Sequence, residues 1–136
     1  MQFEGEGEIA EWFGRLPLDC VERKATDAEL DDFEAQFGPI PPVFRWFLLE
    51  CGGGPVGPDW VDGIDKLAKT HRKFERERQP GRGWTLTNVF VIGWDGAGNP
   101  FGIKEDSGAV VVEDHNFGGV HELAPSFADF LRARLG

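Results

Sequence analysis

"ATDAELDDFEAQFGPIPPVFRWFLLECGGG", Ala25 to Gly54, carries two helices and the punctuation that separates them. Thr26 followed three residues later by Glu29 is a capping box. The hydroxyl accepts from the Glu29 N–H while the Glu29 carboxylate reaches back to the N–H of Thr26. Leu30, Phe33 and Phe37 then fall on one helical face, and Gly38 can take the left-handed conformation that ends such a helix. Pro41 or Pro42 can open the next helix, because a residue in the first turn has no donor to lose. Phe44, Phe47, Leu48 and Cys51 form one stripe, which Val43, Trp46 and Leu49 widen. A helix apolar almost all round belongs in an interior. Gly52 stops it.

Working outward, a third helix is expected from about Asp62 to Gln79, with Ile64, Leu67, Ala68, His71 and Phe74 inward and basic residues opposite. Pro80 and two glycines end it. From Trp84 the period changes from 3.6 to 2. "TLTNVFVIGW", "NPFGIKE", "GAVVVED" and "GGVHELA" read as strands, separated by the turn pairs Asp95-Gly96, Gly98-Asn99, Ser107-Gly108 and Gly118-Gly119. Connections this short join antiparallel neighbours. "SFADFLRARLG" closes the chain as a helix capped by Ser126, with Phe127, Phe130, Leu131 and Leu135 inward and arginines near its negative end. The expectation is a single α+β domain over 1–136, its C-terminal sheet antiparallel and packed against several helices. An acidic helical segment over about 1–24 precedes a core over 25–136.

Composition narrows the function. The 136 residues include twelve Phe and five Trp, ample for a core. No run approaches the ~18 apolar residues of a membrane span. The N-terminus "MQFEGEGEIAEWF" is acidic where a secretory signal is basic, so a cytoplasmic location is expected. Cys20 and Cys51 lack the spacing of a zinc site and read as buried thiols. Net charge is −10, yet Lys66 to Arg82 holds seven of the fourteen Lys and Arg beside Glu75 and Glu77 alone, a balance of +5. The remainder carries −15, a surface that repels nucleic acid and steers a basic partner inward. The basic stretch is read as a solvated helix face.

Candidate sites for chemistry are thin. "DGAGN", Asp95 to Asn99, offers two ligand side chains, but Ala97 stands at the third position of a would-be calcium loop. "CGGGPVG", Cys51 to Gly57, trails a helix C-terminus, whose dipole repels anions, so it reads as a helix stop and loop rather than a phosphate cradle. His71 sits on an apolar stripe. His115 and His121 lie six apart beside Asp114 and Glu122, the one pairing from which a hydrolase could be built. No cofactor or metal is expected. Trp60, Trp84 and Trp94 flank element edges next to carboxylates, an arrangement that serves either the rim of a core or protein recognition.

The order of these features resembles the SUKH superfamily. Glu34, Phe37, Gly38, Ile40, Pro41, Phe44, Phe47, Leu48, Gly52 and Gly53 follow its N-terminal pattern. "VIGWDGAGNPFGI" is similar to its strand–turn–strand, and "SFADFLRARL" to its closing helix. The likeness runs from about Thr26 to Leu135 and departs at two positions. Phe44 stands where the family commonly has Tyr, and Cys51 where it commonly has Asn. The resemblance implies a non-enzymatic, intracellular protein-binding module. Many bacterial members are immunity proteins that neutralise a cognate toxin, often one acting on nucleic acid, by occluding it; a fungal branch regulates cell-wall assembly. The expected partner is therefore a basic toxin domain, with no direct nucleic-acid or membrane contact. Asp59, Trp60, Asp62, Trp94, Asp95, Glu105, Asp106 and Asp114 are the candidate contact residues.

Overall fold

The computed structural model describes residues 3–79 and 82–135. Helix α1 (Glu6–Gly14) buries Ile9 and Phe13, the latter edge-on to Phe47 at 5.3 Å between ring centroids. Helix α2 (Asp27–Phe37) starts in the expected capping box, with Glu29 N–H donating to Thr26 Oγ1 at 3.2 Å and Thr26 N–H to Glu29 Oε1 at 3.0 Å. Pro41 caps helix α3 (Pro42–Glu50), which buries Phe44, Trp46, Phe47 and Leu48. Burying one such side chain is worth about 1.5–3 kcal/mol, so this helix is a large share of the core.

The glycines after α3 do more than stop it. Gly52 has φ 94°, and a Cβ there would lie 2.2 Å from the Glu22 carbonyl oxygen. The backbones touch because Glu22 bridges Gly53, donating its N–H to the Gly53 carbonyl at 2.9 Å. The chain then makes a hairpin, β1 (Gly54–Val56) with β2 (Asp59–Val61), where the sequence reads only as a loop. Three-residue strands with two glycine neighbours and a proline carry no alternation to detect.

Helix α4 runs Ile64–Glu77, two residues inside each expected end. Asp62 instead ties the chain to the backbone of the strand Val89–Trp94 before the helix starts, its N–H donating to the Ile92 carbonyl at 2.8 Å. A two-residue pair follows, β3 (Arg78–Gln79) with β4 (Arg82–Gly83). The stop at Pro80 and Gly81 lies outside the described residues.

Strands β5 (Val89–Trp94), β6 (Pro100–Lys104), β7 (Val110–Glu113) and β8 (Val120–Ala124) form an antiparallel meander in that spatial order, as the turn pairs predict. One face presents Phe90, Ile92, Phe101, Ile103, Val110 and Ala124 to the helices, including α5 (Phe127–Leu135). Ser126 caps α5, accepting from the Asp129 N–H at 3.1 Å. The other face carries Val91 and Val111 under Leu86 and Phe74. Residues 84–88 cross that face as an irregular segment, although the sequence reads them as the start of a strand. Glu113 explains this. Its carboxylate accepts from the N–H groups of Thr85 and Leu86, each at 2.9 Å, replacing a strand partner. The architecture is α+β and a single domain. Among the described residues, no helix is long and apolar enough to cross a membrane.

Candidate functional site

An antiparallel meander puts alternate turns at opposite ends of the sheet. The turns at 95–99 and 114–119 therefore share one end, and Glu105 and Asp106, both exposed, occupy the other. The eight candidate residues do not form one surface.

The shared end is tightly built. Asp95 Oδ1 accepts from the N–H groups of Ala97 at 2.9 Å and Asn99 at 2.8 Å, while Asp95 Oδ2 takes the Asn99 side-chain N–H at 3.2 Å. Asn99 is buried, and its Oδ1 accepts from the His115 N–H at 3.0 Å and from His115 Nδ1. One amide thus locks the two acidic turns side by side. In the second turn Asp114 Oδ1 accepts from Asn116 N–H at 2.8 Å and Phe117 N–H at 3.0 Å. Those bonds hold the Asp114 carboxyl below the usual range, so it stays charged.

Between the turns and the end of α4 lies an open cleft of about 710 Å³, lined by Glu77, Trp84, Glu113, Asp114, His115 and the turn glycines. Trp84 donates its indole N–H to Glu77 at 2.9 Å and lies 5.9 Å from the Trp94 ring and 6.1 Å from His115. Phe117 stands beside this cleft at the hairpin tip, 90% exposed. Exposed aromatic area next to fixed carboxylates is what a protein partner buries, because few torsions are lost in ordering it.

The other candidates have local tasks. Asp59 is ion-paired with Arg134 of α5 at 2.7 Å, and burial pushes its carboxyl up against that pull. Asp62 is 7% exposed and accepts from the Thr70 hydroxyl. Trp60 is 36% exposed, donates its indole N–H to Glu22 and lies under the Lys66 ammonium at 4.9 Å. Trp94 is half-buried beneath Lys73 Nζ at 4.1 Å, and its indole nitrogen is buried without a partner among the described residues. So α4 turns two of its lysines onto the candidate tryptophans.

The histidines are separately engaged. His121 Nε2 donates to the Gly118 carbonyl at 3.2 Å, and His115 belongs to the Asn99 lock. His71 donates to the Val91 carbonyl at 2.8 Å amid Phe33, Phe37 and Phe90, and burial lowers its pKa. Cys51 is buried, its thiol pushed up to about 12 by desolvation, but Cys20 is exposed, contrary to the sequence reading. It falls in a single 3-10 turn, Leu18–Cys20, none of whose residues is buried. No group of three His, Cys, Asp or Glu among the described residues could hold a metal ion. Phe117 is not among the contacts expected from the sequence. An aromatic inside a polar Asn-Phe-Gly-Gly turn was the available signal.

A model of the SMI1 / KNR4 family (SUKH-1) matches residues 24–133. None of the curated proteins matches the chain.

Proposed function

The chain belongs to the SMI1 / KNR4 family (SUKH-1), generally non-enzymatic immunity or regulatory modules that bind proteins, and on that premise we propose an immunity protein. It acts in the cytoplasm by occluding a basic, nucleic-acid-targeting toxin domain. The observation that carries this reading is the paired acidic turns locked by Asn99 beside the Trp84 cleft, with Phe117 projecting from them. Asp95, Asp114 and Trp94 remain contact candidates at this end. Glu105 and Asp106 lie too far along the strands to join them. The acidic segment up to residue 24 belongs to the same unit in this reading, because Ile9 and Phe13 enter the common core.

Co-expression with toxin domains encoded by genes found next to its own is the test. Restored growth, with a complex recovered by affinity capture, is the expected result. No protection, combined with capture of a cell-wall assembly factor, would replace immunity by a regulatory role.

A further inference from the structure

The four-stranded sheet has one covered edge and one open edge. β2 and α4 lie against β5, where the Ile92 carbonyl is taken by the Asp62 N–H. β8 ends the order on the other side, and Val120, His121 and Glu122 are all exposed. Hydrogen-bonded and non-hydrogen-bonded pairs alternate along an antiparallel ladder. The Asp114 N–H donates to the Gly119 carbonyl at 3.0 Å, which makes that pair a bonded one. His121, opposite Val112, then bonds to β7, while Val120 and Glu122, opposite Glu113 and Val111, turn their N–H and C=O groups outward. The same alternation sets the side chains of Val120 and Glu122 on the face of Val111 and Glu113, the face that holds the Trp84 cleft. β8 holds no proline or lysine, but a bulge where the register shifts from Val110–Ala124 to Val111–Glu122 confines regular pairing to the stretch from Val120 to Glu122.

We propose that the outward edge of β8, with Phe117 at its hairpin tip, receives an extended basic segment of the protein partner by strand addition. This rests on the reading of the chain as a module that binds a basic protein. Main-chain bonds to Val120 and Glu122 supply affinity, and side chains at alternate positions supply specificity. Val120, 45% exposed, and Phe117 offer apolar contact, while Asp114 and Glu122 face a basic side chain. A second copy of this chain would bring −10 against −10 and set these carboxylates against their own kind.

The probe is an alternating Val-Lys peptide of about eight residues, long enough to span a strand, titrated into the 15N-labelled full chain. The amides of Val120 and Glu122 should shift and become protected from exchange. Peptides N-methylated at every second residue, in both phases, require no variant protein, and one phase should lose binding. Glu122→Pro removes an outward N–H, which an edge strand tolerates, and should weaken binding about tenfold, whereas Glu122→Gln should cost about two- to threefold. Shifts confined to other elements, no binding, or equal losses for the two variants would overturn the proposal. So would protection of the same amides that rises with protein concentration without peptide, the sign of a second copy. In cells, protection by wild type and by Glu122→Pro alike would sink strand addition and leave immunity standing. Failure of the wild type to protect would sink immunity, while the peptide titration still judges the edge.

Discussion

Glu113→Ala should be among the more damaging substitutions outside the aromatic core. Glu113 is 8% exposed, and its carboxylate accepts from Thr85 N–H at 2.9 and 3.0 Å, Thr85 Oγ1 at 3.1 Å and Leu86 N–H at 2.9 Å. Hydrogen bonds to a charged group contribute about 1.5–3 kcal/mol each, and a stranded buried donor costs about 1–3. Thr85 is exposed, so water can replace its lost partner. Leu86 is buried, and its N–H has no such recourse. The bonds share one carboxylate and do not add, which leaves a loss of about 3–4 kcal/mol for Ala and about 1–2 for Gln, which keeps one acceptor. With a urea slope of about 2 kcal/mol per molar, the Ala midpoint should fall by about 1.5–2 M. The segment so pinned carries Trp84, so its fluorescence should report local loosening before the global transition. A midpoint loss under about 0.5 M for Ala, or equal losses for Ala and Gln, would refute the claim that these bonds hold the 84–88 crossing.

Gly52→Ala should destabilise by several kcal/mol in chemical denaturation, because φ 94° disfavours a side chain and its Cβ would meet backbone at 2.2 Å; a wild-type midpoint would mean the α3 exit is misassigned. Asp62 has a folded-state pKa raised from 3.8 to about 6, chiefly by burial, with Glu22 adding to it. Between those values the folded state holds more protons than the unfolded one, so this residue's contribution to stability falls as pH rises and its penalty is complete above pH 6. Asp62→Asn should therefore gain on wild type by on the order of 2–3 kcal/mol between pH 4 and 7, and a pH-independent difference would contradict that. Millimolar calcium or zinc should leave Tm unchanged, since Asp95 spends its oxygens on Ala97 and Asn99; a shift of several degrees removed by Asp95→Ala would reverse this.

Much of the fold is legible where one periodicity rules. The capping box at Thr26 and the α3 stripe are local devices with fixed spacing, and both stand where the residues put them. The hairpin β1–β2 is not legible, because three-residue strands containing Gly54 and Pro55 carry no alternation, and the Glu22–Gly53 bridge beside it joins residues distant in the chain. Nor is the crossing at 84–88. Thr85 and Leu86 have strand-like neighbours, but their donors are claimed by a carboxylate 28 and 27 residues away. The site was legible as chemistry and not as geography. Acidic turns and edge tryptophans are visible in the sequence, yet only strand order separates Asp95 and Asp114 from Glu105 and Asp106. The lysines over Trp60 and Trp94 depend on how α4 is rotated, which periodicity alone leaves open.

Docking of a basic partner at the end of the sheet built by Asp95 and Asp114, as proposed, rests on charges that can be removed pair by pair. Its most direct test is the association rate of the toxin domain against which the protein protects, measured by stopped flow across ionic strength. Asp95→Asn with Asp114→Asn keeps an acceptor oxygen in each turn and removes both charges. Glu105→Gln with Asp106→Asn removes two charges from the opposite end. The first pair should slow association and flatten its salt dependence, while the second, with the same change in net charge, should leave both nearly untouched. Equal effects from the two pairs, or the larger effect from Glu105 and Asp106, would contradict docking at this end.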